Sequence, residues 1–126
     1  MNTYLTCIAI DDNPLFIRSL KAFIEEIDWL ELLETYDESV KGASGIFSIK
    51  PDIVFLDIEM PHADGNYLVD WITPRLKSLE NPPKIIIVSS LNVEEKDQLE
   101  MVSGYINKAD LINPEKLESL VRNIVS

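Results

Sequence analysis

Ile53-Val54-Phe55-Leu56-Asp57 is the stretch on which the fold turns. It follows the turn Lys50-Pro51-Asp52 and runs into Ile58-Glu59-Met60-Pro61. A short, continuous apolar run ending on a carboxylate predicts a strand covered on both faces, not the alternating pattern of a half-solvated one. Such strands belong to parallel sheets, where crossover helices pack on each side. The chain on either side should therefore alternate between short apolar runs and helical periods.

It does. Upstream, the run Tyr4–Ile10 stops at Asp11-Asp12-Asn13-Pro14. Pro14 suits a first helical position, where its missing N–H would be unpaired anyway. Phe16, Leu20, Phe23, Ile24 and Ile27 then mark one helix face. Leu30–Tyr36 reads as a strand, and Ser39–Ser48 as a weaker helix with Val40, Ala43 and Phe47 on one side. Gly42 and Gly45 within it would each cost about 1 kcal/mol against alanine. Downstream, Met60–Gly65 is a loop, and Leu68, Val69 and Ile72 continue as a helix to about Pro74. Asn81-Pro82-Pro83 breaks the chain before the strand Ile85–Val88, which ends at Ser89-Ser90. Asn92 with Glu95 predicts a capped helix reaching about Val102. Gly104–Asn107 is a short fifth strand ending at Lys108, and Asn113-Pro114 opens a last helix with Leu117, Leu120, Val121, Ile124 and Val125 inside.

Composition bounds the function. One domain over residues 1–126 is expected, large enough for a core without staples. The net charge of −11 argues against nucleic-acid binding and against anionic membrane. No apolar run approaches a membrane span, and Met1–Ile10 lacks the cationic start of a signal peptide. The single cysteine, Cys7, excludes an internal disulfide, reads as core packing, and fits a reducing, cytoplasmic location. His62, on the loop, and Trp29 and Trp71, at the edges, read as surface or packing residues.

In an open parallel α/β sheet the ligand site lies beyond the carboxyl ends of the strands. Those ends carry Asp11 and Asp12, then Asp57 with Glu59 two residues on, then Ser89, then Lys108. Clustered carboxylates raise one another's pKa, and a divalent cation relieves the conflict. An all-oxygen set suits Mg²⁺ or Mn²⁺ and not zinc. A carboxylate, a cation, a hydroxyl and an ammonium form a phosphoryl-transfer constellation. Asp57 would be the nucleophile, and Ser89 and Lys108 would meet phosphoryl oxygens.

The chain resembles the receiver domain of two-component response regulators over essentially its whole length. The resemblance rests on Ile10-Asp11-Asp12, on Pro51 through Pro61, on Asp64-Gly65, on Ile85 through Ser90, and on Gly104-Tyr105-Ile106-Asn107-Lys108. It implies a flavodoxin-like (βα)5 three-layer sandwich with a parallel five-stranded sheet of order 2-1-3-4-5. It implies that Asp57 takes a phosphoryl group from a histidine kinase. Asp12 and Asp57 would bind Mg²⁺ with the Glu59 backbone carbonyl, and Asp11 would act through water. Ser89 and Tyr105 match the family's switch pair, and Lys108 its lysine. The face made by the fourth helix, fifth strand and fifth helix would pass the signal to an output domain or downstream protein, with homodimerisation on phosphorylation as one mode. The start of the chain is similar to receivers of LytTR-type transcription regulators, and its end to the NarL type. No output domain is expected within these residues.

Three features depart from that pattern. Ala109 stands where the family has proline, so a trans bond or a rearranged loop is expected after Lys108. Ser89 and Lys108 are 19 positions apart, a few fewer than the family has, so the fourth helix should be short. Glu59 is acidic where it would overlook Asp57, repelling phosphate or holding a metal water. Three rivals stand beside the receiver reading: a phosphate-independent binding module, a small Mg²⁺-dependent phosphatase or phosphotransferase, and a flavin-binding flavodoxin. The intact Asp/Ser/Lys set argues against the first. The short chain leaves no room for the cap domain of the second. Asp11-Asp12 would repel a flavin phosphate. The expected chemistry is that of a phosphoacceptor with self-catalysed transfer and hydrolysis, not a metabolic enzyme.

Overall fold

The computed structural model describes residues 4–60, 72–91 and 101–126. Five strands, β1 (Leu5–Ile10), β2 (Leu30–Tyr36), β3 (Ile53–Asp57), β4 (Lys84–Ser89) and β5 (Val102–Asn107), form one sheet of order β2-β1-β3-β4-β5. Every neighbouring pair is parallel, with Asp57 opposite Val88 and Ser89 opposite Asn107. The expected sheet and its strand order are what the chain forms.

Helices lie on both faces, and the two cores follow from strand alternation. Cys7, Ala9, Phe55, Ile86 and Val88 point to one face. They pack there with Leu20 and Ile24 of α1 (Pro14–Glu25) and with Leu117 and Val121 of the C-terminal helix Pro114–Val125. Ile8, Ile10, Val54, Leu56, Ile85 and Ile87 point to the other. They meet Ala43 and Ile46 of α2 (Ser39–Ile49), and Ile72 and Leu76 of a helical stretch over 72–76. Burial on both sides is why the central strands read as continuous apolar runs. Cys7 is fully buried, and burial pushes its thiol up to about 12, so it is an inert core residue.

Both well-marked helices begin as their sequences predict. Asn13 accepts the N–H groups of Leu15 and Phe16, and Asn113 accepts that of Lys116, each just ahead of a proline at the helix start. Trp29 packs at the edge of the first core, donating to Glu118 at 2.6 Å.

Other expectations change. Val40 is 75% exposed, and the buried face of α2 is Ser39, Gly42, Ala43, Gly45 and Ile46. The glycines explain this. A Cβ at Gly42 would sit 2.6 Å from the buried Ile10 side chain, so α2 lies nearer the sheet than a valine face allows. The helix after β3 passes Pro74 and continues to residue 76, because Ile72 and Leu76, one turn apart, are both buried. β5 begins at Val102, two residues earlier than expected, after Met101 turns the backbone with a φ of 70°. His62, Trp71, the Asp64-Gly65 pair, the Asn92/Glu95 cap and the shortened fourth helix lie outside the described residues.

Candidate phosphoacceptor site

Four strand ends repeat one local device. Asp11 Oδ1 accepts the N–H of Asn13 at 2.8 Å, and Asp57 Oδ1 that of Glu59 at 2.9 Å. Ser89 Oγ accepts the N–H of Leu91 at 3.0 Å, and Asn107 Oδ1 that of Ala109 at 2.8 Å. A short polar side chain that binds the backbone two residues on ends a strand and starts a turn. In the two aspartates this uses one carboxylate oxygen and leaves the other for the site.

Those second oxygens meet at Lys108. Its Nζ lies 2.8 Å from Asp11 Oδ2 and 3.7 Å from Asp57 Oδ2. The contact with Asp11 is an ion pair without directed hydrogen-bond geometry, for Asp11 Oδ2 is buried and has no hydrogen-bond partner among the described residues. Asp11 and Asp57 are each 2% exposed, whereas Asp12 is open to solvent. One carboxylate oxygen from each of Asp11, Asp12 and Asp57 lies within 4.8 Å of the others. The donor set fits a divalent cation of the Mg²⁺ class: one carboxylate oxygen from each of three aspartates converges, two of the side chains are buried, and the third, Asp12, is reached by water.

Electrostatics follow burial. Desolvation lifts Asp57, the Glu59 N–H opposes it, Asp11 raises it further, Lys108 lowers it and Glu59 adds a smaller rise. The balance stands at about 6. Glu59 goes the other way. Desolvation would raise its carboxyl, but hydrogen bonds from Ser90 and Ser89, and the Lys108 charge, hold it below the usual range. The Glu59 carboxylate takes the Ser90 N–H at 2.8 Å and the Ser90 hydroxyl at 3.0 Å. It is thus tied to the end of β4.

Of the residues expected to gather, Asp11, Asp12, Asp57 and Lys108 do so directly, with Ser89 and Glu59 on the adjoining strand end. Tyr105 lies on β5 opposite Ile87, half-buried against the second core. The bond after Lys108 is trans, the first of the two outcomes expected of Ala109. Lys108–Asp110 is a 3₁₀ turn with no cis bond among the described residues, capped by Asn107 through the Ala109 N–H that a proline would lack. Two neighbours escaped the sequence reading. Phe16 reads there only as helix core, yet Lys108 Nζ stands 4.5 Å over its ring centroid. Ser90 carries no role there, yet it holds Glu59.

Comparison with known proteins agrees with this geometry. The family model described as "Response regulator receiver domain" matches residues 7–122. The transcriptional regulatory protein BtsR of Escherichia coli K12 is 28% identical over 85 residues, 68% of this chain and 34% of that protein. An uncharacterized response regulatory protein of Vibrio cholerae is 27% identical over 121 residues, 95% of this chain and 47% of that protein. The chain thus spans about a third to a half of the length of these curated relatives. Among solved structures, the NarL signal receiver domain of Mycobacterium tuberculosis superposes with a TM-score of 0.78 at 18% identity, covering 97% of each chain. The RcsB response regulator of Salmonella typhimurium superposes with a TM-score of 0.81 at 19% identity, over 98% of this chain and 60% of that one. These two likenesses concern the fold.

Proposed function

The chain belongs to the response regulator receiver family, and from that premise we propose that Asp57 accepts a phosphoryl group from the phosphohistidine of a histidine kinase. The reading is carried by the convergence of Asp11, Asp12 and Asp57 within 4.8 Å, with the Lys108 ammonium against two of them. A receiver domain is typically a phosphoacceptor and not a catalytic enzyme, and this pocket is typical of one.

Asp57 Oδ2 is the attacking oxygen, because Oδ1 is bound by the Glu59 N–H. With a pKa of about 6 it is mostly ionised at neutral pH. A bond forms from that oxygen to phosphorus. The P–N bond breaks, and its electron pair returns to the imidazole. Lys108 pairs with a phosphoryl oxygen, and Ser89 turns its hydroxyl to another. Tyr105 follows inward, as the switch pair of the resemblance implies. Asp12, Asp57 and the Glu59 backbone carbonyl would hold Mg²⁺, with Asp11 acting through water. That ion supplies charge neutralisation at the phosphoryl oxygens. The same groups let water hydrolyse the acyl phosphate slowly.

The output is our reading from the family. Phosphorylation shifts a two-state surface that includes β5 and the C-terminal helix, which then engages an output domain or a downstream protein. The LytTR-like and NarL-like features favour control of transcription, with the DNA contact made by another module, since this one carries a charge of −11. Residues 1–126 act as one receiver unit in the cytoplasm. No helix of the described residues is long and apolar enough to cross a membrane.

The test is intact-protein mass after incubation with Mg²⁺ and acetyl phosphate, beside Asp57→Asn. A labile phosphoryl adduct on the parent alone is the expected result. A parent without adduct would favour a phosphate-independent module. Turnover of a generic phosphate ester would favour a phosphatase.

A further inference from the structure

We infer that Phe16 is a positioning residue for Lys108 in phosphoryl transfer, an inference that rests on the phosphoacceptor reading. Lysine is a compact charge on a flexible stem with considerable rotamer freedom. Two carboxylates alone would draw its ammonium onto the nearer one, Asp11, at 2.8 Å against 3.7 Å for Asp57. The Phe16 ring closes another side, its centroid 4.5 Å from Nζ. The face of an aromatic ring carries negative charge and attracts a cation, more strongly where water is scarce. Lys108 is such a case, with its side chain only 15% exposed.

The ring is itself held in place. Phe16 lies in the first turn of α1, and its N–H is bound by Asn13 Oδ1 at 3.2 Å. Asn13 in turn donates its N–H to Asp11 Oδ1 at 2.8 Å. Phe16 also packs against the first core. The contacts close a circuit from Asp11 through Asn13 and Phe16 to Lys108 and back to Asp11. The helical period asks only for an apolar residue at this position. The ammonium is what an aromatic ring, and no aliphatic side chain, can serve. In the reaction Lys108 must exchange Asp11 for a phosphoryl oxygen. The ring keeps the ammonium at the strand ends while that exchange occurs.

The experiment is the initial rate of acetyl phosphate labelling with Mg²⁺, at saturating donor, for the parent, Phe16→Leu and a protein with pentafluorophenylalanine at position 16. The leucine keeps apolar bulk, and the fluorinated ring keeps shape with its charge distribution inverted. Both are expected to label about tenfold more slowly, with Mg²⁺ affinity and the donor KM close to parental. The fluorinated protein guards against a leucine variant that fails to fold. Labelling of the fluorinated protein at the parental rate overturns the inference, whatever the leucine variant does. A parent that takes no phosphoryl group overturns the phosphoacceptor reading itself, and this inference with it.

Discussion

The Glu59 carboxylate accepts both the N–H and the hydroxyl of Ser90, at 2.8 and 3.0 Å, and so clasps the end of β3 to the end of β4. The clasp keeps a full negative charge beside Asp57, because its hydrogen bonds hold Glu59 ionised. An anionic phosphodonor meets that charge on approach. Glu59→Gln removes it and keeps an acceptor for Ser90. The variant is expected to label about fivefold faster with acetyl phosphate at low ionic strength, the gain shrinking as salt screens the charge. Equal rates for parent and variant at low salt would defeat this account.

Asp57 makes metal-free stability pH-dependent. Its folded pKa, about 6, lies above the ordinary carboxyl value of 3.8. The folded state therefore binds more protons than the unfolded state between those values. This contribution favours folding at the acid end of the window and is lost as pH rises through 6. We expect urea unfolding without metal to show greater stability at pH 5 than at pH 7, by on the order of 1–2 kcal/mol. Asp57→Asn should flatten that slope and be the more stable protein at pH 7. A parent whose stability rises over the same interval would contradict the assignment.

Lys108 is the cation that offsets two buried carboxylates. Lys108→Met leaves Asp11 and Asp57 as neighbouring like charges, at a cost of about 3 kcal/mol without metal, the low end for a buried pair that loses one partner. It also frees Asp11 Oδ2 for a metal ion. Mg²⁺ titration followed by Trp and Tyr fluorescence should show about fivefold tighter binding, because the ammonium no longer competes. Phosphoryl labelling should fall sharply in the same variant. Weaker Mg²⁺ binding would show that Lys108 helps to shape the acidic pocket and does not compete within it.

Gly42→Ala separates helix propensity from packing. Alanine in a helix is worth about 1 kcal/mol over glycine. Here the added Cβ would meet three side-chain atoms of the fully buried Ile10 at 2.6 to 2.8 Å, so α2 or Ile10 must shift within a packed core. Overpacking of this kind costs typically 1–3 kcal/mol. The variant should be destabilised by about 1 kcal/mol in urea. Ile10 immediately precedes Asp11, so the shift should also weaken Mg²⁺ binding. A stabilised variant would mean that α2 stands further from the sheet.

The parallel strands, the helix starts at Pro14 and Pro114 and the gathering of Asp11, Asp12, Asp57 and Lys108 could be read from the amino acids, whereas the order of the strands came from the family resemblance. Apolar runs, proline positions and polar strand ends are local signals, and the parallel-sheet rule turns them into one edge. The buried face of α2 could not be read, because Val40 and Ala43 look equivalent until Ile10 comes within reach of Gly42. Nor could the helix continuing past Pro74, which depends on where Leu76 lands.

The same division runs through the site. Residue identity was enough to say that a carboxylate cluster, an ammonium and a hydroxyl share one edge, because period and turn chemistry act over a few residues. It could not say that Glu59 would close on Ser90 across two strands, or that Phe16 would lie beneath Lys108. Those contacts join residues 31 and 92 positions apart. Their distances are set by sheet register and helix seating, which exist only once both cores have packed.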